Sequence, residues 1–132
     1  MVNLVQNGDF AQQDNYWTTS NPQDVSYPGG HCEIAPPSSI SQDVLIGNAT
    51  NFMLSARMKT DQGFAGRVSL QPHPTGPVTS LDVGGSQAWT IKFAAITVPA
   101  GTIKVTVKVD ANDGVFGTKG AYFGDVALVQ LP

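Results

Sequence analysis

Ile103-Lys104-Val105-Thr106-Val107-Lys108-Val109-Asp110 alternates apolar and polar residues without a break. Side chains on a strand project to opposite faces with a period of two, so this stretch predicts a half-buried β-strand. The same pattern recurs outward from it in both directions. Phe52, Leu54, Ala56 and Met58 alternate with Met53, Ser55, Arg57 and Lys59. Val68 and Leu70 alternate with Arg67, Ser69 and Gln71 until Pro72 and Pro74 stop the run. Trp89, Ile91 and Phe93 alternate with Thr90 and Lys92, and a bulge at Ala94-Ala95 would carry the strand on through Ile96 and Val98. Ile40, Gln42, Val44 and Ile46 form a weaker candidate, as do Cys32 and Ile34. No stretch holds a 3.6-residue apolar period for three turns. Turn clusters such as Pro28-Gly29-Gly30, Gly84-Gly85, Pro99-Ala100-Gly101 and Asn112-Asp113-Gly114 separate the runs. Short strands at regular spacing predict an all-β antiparallel sandwich, with one domain over residues 1–132.

Composition narrows the function classes. Charged residues make up 13% of the chain and apolar ones 41%, with a formal net charge of -3. The seven Lys and Arg are scattered, so no basic stripe exists to displace counterions from a phosphate backbone, which argues against nucleic-acid binding. No apolar run approaches the roughly 20 residues that cross a bilayer, which argues against membrane insertion. The start Met1-Val2-Asn3-Leu4 has neither a basic segment nor a hydrophobic signal region. Cys32 is the single cysteine, so no internal disulfide forms, and it reads as a small core residue.

Catalysis finds little support. The ten Asp and Glu fall mostly one at a time in turns, where Asp is favoured for local hydrogen bonding. Cys32 adjoins His31, but neighbours on a strand face opposite ways. No zinc-ligand spacing appears. Asp110-Ala111-Asn112-Asp113-Gly114 fails as an EF-hand loop: its glycine comes one position early, and Ala121 stands where the closing Glu belongs.

The two ends carry a further pattern. The chain opens with Asn3-Leu4-Val5-Gln6-Asn7-Gly8-Asp9-Phe10, with Trp17 seven residues on, and closes with Tyr122-Phe123-Gly124-Asp125-Val126-Ala127-Leu128-Val129. Between them stand Ser41-Gln42-Asp43-Val44, Leu54-Ser55-Ala56-Arg57-Met58-Lys59 and Trp89 through Gly101. In this order the segments resemble the jelly-roll carbohydrate-binding modules of families four, nine and twenty-two, which are galactose-binding-domain-like sandwiches. The resemblance implies that the first and last strands lie together, that the sandwich is complete, and that Trp17 and Trp89 are structural; Phe10, Phe52, Phe93 and Phe123 sit in strand patterns and read as core. The resemblance also implies a structural calcium between the end strands, for which Asp9 and Asp125 are the candidate ligands. Ala11 and Gly124 depart from the family's acidic positions there.

Sugar recognition requires aromatic faces for C–H stacking and planar polar groups for paired hydroxyl bonds. Loop aromatics Tyr27, Phe64 and Phe116 are candidates for the first role; Arg57, Arg67, Gln71, His31, Asn112 and Asp113 are candidates for the second. The resemblance places the ligand on a concave sheet or along its loop edge. The expectation is therefore a non-catalytic domain that binds a short glycan, secreted or extracellular, with room for homo-oligomerisation. The rival expectation is a protein-interaction or structural jelly roll, within a larger particle or an oligomeric effector.

Overall fold

A computed structural model describes residues 2–132; Met1, at the head of the expected domain, lies outside the described residues. The strands among them are Thr18–Thr19 (β1), Val25–Ser26 (β2), Cys32–Ile34 (β3), Ser39–Leu45 (β4), Asn51–Thr60 (β5), Ala65–His73 (β6), Thr79–Gly84 (β7), Gln87–Thr97 (β8), Lys104–Asp113 (β9) and Ala121–Gln130 (β10). They form two five-stranded sheets, a front sheet ordered β1-β4-β9-β6-β7 and a back sheet ordered β2-β3-β10-β5-β8. All pairings are antiparallel, which makes the molecule a jelly-roll sandwich.

The alternating valines stand at the centre of the front sheet. Val105, Val107 and Val109 are fully buried, whereas Ile103 sits exposed just before β9. They meet Phe52, Leu54, Met58, Phe123 and Leu128 from the back sheet in one core. Each fully buried side chain of this size contributes roughly 1.5–3 kcal/mol. Cys32 belongs to that core, and burial raises its thiol pKa.

The chain ends are tied together by side chains that the opening motif supplies. Asn3 accepts from the Val5 and Leu128 backbone N–H groups through Oδ1, each at 3.0 Å, and donates from Nδ2 to the Val126 carbonyl at 3.1 Å. The Leu4 N–H donates to Leu128 O at 2.8 Å, and the Val126 N–H to Gly8 O at 2.9 Å. A side chain at Gly8 would drive its Cβ into the Val126 carbonyl, so glycine is required for this approach. Buried Gln42 on β4 clamps the opening segment from the front sheet: its amide accepts from Gln6 N and donates to Gln6 O, both at 2.9 Å. The pairing of ends implied by the sequence is therefore present, with its hydrogen bonds accounted for.

One strand reverses its expected orientation. β5 and β8 pair in unbroken register from Asn51↔Thr97 to Met58↔Thr90, with no bulge at Ala94-Ala95. Ile96 packs inward opposite Phe52, so the period of two sends Phe93, Ile91 and Trp89 to the outer face. Phe93 is 69% exposed and Ile91 68%, which corrects the reading of Phe93 as core. Trp89, at 36%, also lies on the surface rather than within it, whereas Trp17 is buried as expected.

Candidate functional site

The connection from β5 to β6 sets the geography of the polar side chains. It is an arch that carries the chain from the back sheet to the front sheet, rather than a hairpin within one sheet. Phe64 plugs the arch: it is buried, and a Cβ at either Gly114 or Gly120 would collide with its ring. The loop aromatic expected to face a ligand is thus a packing element. Because of the arch, outward residues of β5 and β6 stand on opposite sides of the molecule. Arg57 is therefore separated from Arg67 and Gln71, which the alternation alone could not reveal.

On the front sheet, Arg67, Ser69, Gln71 and His73 of β6 join Ser80 of β7, Thr106, Lys108 and Asp110 of β9, and Val78 to line a groove of about 360 Å³. That is near the small end of ligand-site sizes. Cross-strand register builds it: Arg67 lies between Asp110 and Asp82, and Ser69 between Lys108 and Ser80. Arg67 donates from Nε to Asp82 Oδ1 at 2.6 Å, and Ser80 donates to the other oxygen at 2.9 Å. Gln71 uses its amide N–H groups on the Pro72 and Gly76 carbonyls, at 3.1 and 3.2 Å, so its Oε1 is the group left to accept. Thr106 donates its hydroxyl proton to Asp43 at 2.6 Å, so the His73 nitrogen 2.8 Å away must be the N–H donor to Thr106. Those contacts, with Lys104 donating to Asp43 at 3.1 Å, hold the Asp43 carboxyl below the usual range, with the Thr106 bond the largest cause.

Asp110 and Tyr27 each leave one buried polar side-chain atom unsatisfied among the described residues. The Asp110 side chain is 15% exposed, and its Oδ1 is buried without a hydrogen-bond partner among the described residues. Lys108 Nζ stands 3.8 Å from the other oxygen. Desolvation outweighs the attraction of Lys108 and Arg67 and raises the Asp110 pKa. In the sequence Asp110 reads as the last polar position of its strand; its register opposite Arg67 is the signal that marks it.

The other expected residues scatter. Asn112 and Asp113 are exposed at the far end of β9, where Asp113 accepts from the Gly114 N–H at 2.9 Å. Phe116 follows in the next loop and is 74% exposed. Tyr27 is half-buried, its ring centroid 5.9 Å from that of Phe10, and burial pushes its hydroxyl pKa up to about 12. Tyr27 is thus packed against the core instead of presented on a loop. His31 and Arg57 meet on the back sheet: the Arg57 guanidinium lies 4.1 Å above the Trp89 ring centroid, and the His31 ring is 5.6 Å from that ring.

The two expected calcium ligands share a pocket but are engaged by other partners. Asp9 and Asp125 line one pocket with Asn3, Asn7 and the Gly8 and Val126 backbone. Yet Asp125 accepts from Arg57 Nε at 3.2 Å, Asp9 accepts from the Ala11 N–H at 3.1 Å, and the Gly8 carbonyl is taken by Val126. A Cβ at Gly124 would stand 2.6 Å from Arg57 Nη2, so a cationic side chain fills the space beside the expected carboxylate. Among the described residues no three His, Cys, Asp or Glu are grouped to hold a metal. Calcium needs six to eight oxygen ligands, usually with several carboxylates, so this donor set does not fit it.

No family model and no curated protein matches the sequence. Solved structures do match the fold. A family 4 carbohydrate-binding module superposes with a TM-score of 0.72 and 16% identity, over 96% of this chain and 99% of that one. A family 61 module in complex with β-1,4-galactotriose superposes with a TM-score of 0.69 and 18% identity, over 99% of this chain and all of that one. The enzymatically active domain of tailspike protein 4 of bacteriophage CBA120 gives a TM-score of 0.71 and 12% identity, over 98% of this chain. This chain spans only 21% of that protein. The fold is that of the jelly-roll carbohydrate-binding modules.

Proposed function

We propose that the protein is a non-catalytic carbohydrate-binding domain, and that the front-sheet groove takes a short, uncharged glycan. The observation that carries this reading is the polar front-sheet groove, in which the Asp110 carboxylate stands beside Lys108 and Arg67. Beside it the groove offers the Arg67 and Lys108 donors and the free Gln71 acceptor. This mixture suits hydroxyls, which donate and accept together. The carboxylate disfavours a uronate or sulfate. No aromatic ring lines the groove, so Val78 supplies the apolar wall and the site suits one or two sugar units. The similarity to modules solved with bound sugars supports the same reading, which implies an extracellular setting where glycans are displayed. No metal ion enters it.

Isothermal titration against neutral galacto- and gluco-oligosaccharides tests the proposal. Binding between micromolar and millimolar, about -4 to -8 kcal/mol, is expected, with Arg67→Ala weakening it about tenfold. Absence of binding to any neutral glycan at millimolar concentration would overturn it. A structural role within a larger particle is the second reading, favoured by the tailspike match; a domain indifferent to sugars would support it.

A further inference from the structure

The back sheet ends in a strand that behaves as an unpartnered edge. β8 pairs with β5 alone, and among the described residues nothing pairs with its other side. The Val98 N–H donates to Thr50 O at 2.8 Å, in the same register as Thr97↔Asn51. Antiparallel ladders alternate bonded and non-bonded pairs, so the even-numbered residues of β8 address β5. The backbone groups of Ile91 and Phe93, with the Trp89 carbonyl, therefore point out to the open edge. These three residues also present the exposed apolar stripe on the outer face. A contiguous exposed apolar stripe is the kind of surface that marks an interaction site. Between Thr90 and Thr97 β8 has neither a bulge nor a proline, and Lys92 is its one charged residue; its register with β5 shifts only beyond Thr90, at Ala88-Trp89.

A stacked sugar fits this surface poorly, because Arg57 already covers one face of Trp89 and the His31 ring abuts it edge-on. A second copy of the same strand fits well. We propose that the protein forms a two-fold dimer through antiparallel β8–β8 pairing centred on Ile91. In that register Ile91 opposes its symmetry mate and Trp89 opposes Phe93, which gives two aromatic cross-strand pairs. The outward-pointing N–H and C=O groups of the two strands bond to one another. Lys92 falls opposite Thr90. The neighbouring register that centres on Lys92 sets two like charges face to face, so Lys92 selects between alignments. The two back sheets become one ten-stranded sheet, and because the two-fold axis is normal to it, both front sheets lie beneath it. If the groove is the glycan site, the dimer displays two sites on one side, which raises avidity through effective concentration.

Analytical ultracentrifugation from micromolar to millimolar protein tests this, with amide hydrogen exchange on the same samples. The expected wild type has twice the mass of one chain, and the Ile91 and Phe93 amides are protected together with dimerisation. Ile91→Lys should raise the dissociation constant by about tenfold or more. Ile91→Pro removes an N–H that β5 does not use, and should give a monomer that still melts cooperatively. A wild type that stays monomeric at millimolar concentration, a dimer that survives both substitutions, or a dimer whose two amides exchange freely would each overturn the proposal. Glycan affinity per site plays no part in these readouts.

Discussion

Replacing Asp110 by Asn should make the protein more stable and a worse binder. The substitution keeps the shape of the side chain and removes a charge held at 15% exposure with one oxygen unpartnered. The charge also has favourable neighbours in Lys108 and Arg67, but the raised pKa shows that desolvation outweighs them. The folded-state pKa lies above the usual aspartate value. The favourable contribution of the protonated acid is therefore complete below that usual value and lost as pH rises through the folded one. At pH 7 the wild type bears the cost of a buried charge, which the neutral amide does not. An unsatisfied buried group costs more when charged than when neutral, and that difference gives a gain of about 1 kcal/mol. With an unfolding entropy of about 2.1 cal/mol/K per residue, this corresponds to about 3–4 °C in Tm for a chain of this length. Urea denaturation at pH 7 and at pH 3 should show the advantage shrinking in acid, while titration calorimetry shows glycan affinity falling about tenfold. An Asp110→Asn protein less stable than wild type at pH 7 would refute the reasoning, because the carboxylate would then be stabilised by its surroundings.

Two further outcomes follow from the packing and the end strands. Phe123→Ala should cost about 3–5 kcal/mol in urea denaturation, and Phe93→Ala no more than about 0.5 at concentrations where the chain is monomeric, since only the first ring is buried. Because Arg57 fills the space beside Asp125, melting in calcium and in EDTA should give the same midpoint; a rise of several degrees with calcium would show that an ion displaces the arginine.

The strands were legible because each apolar face of β4, β5, β6 and β9 is buried on one side only, and a period of two records that directly. β8 misled for a physical reason. Its two faces both carry apolar residues, Trp89-Ile91-Phe93 on one and Ala94-Ile96 on the other, so alternation cannot say which is inward. A bulge was the device needed to bury both sets, and an unbroken register with β5 replaces it. The site was legible in part. Arg67 and Gln71 share the groove as their common strand implies, while Arg57 stands across the molecule because the arch at Phe64 changes sheets. Nothing in a one-dimensional pattern distinguishes an arch from a hairpin. Asp110 escaped notice for the same reason: its importance comes from facing Arg67 across a strand pair 43 residues apart in sequence.

The position of β10 bears on how the chain is made. Ala121–Gln130 fills the middle of the back sheet, between β3 and β5, yet leaves the ribosome after every other strand described. Until it emerges, β3 lacks a neighbour on its inner side and β5 presents an open flank beside buried-type residues such as Phe52 and Leu54. Its partners lie far back along the chain, so closing the sheet carries a large loop entropy that no earlier local contact offsets. Slowing translation over the codons before Ala121 should therefore lengthen the life of a sticky, half-built sandwich and raise its dependence on chaperones.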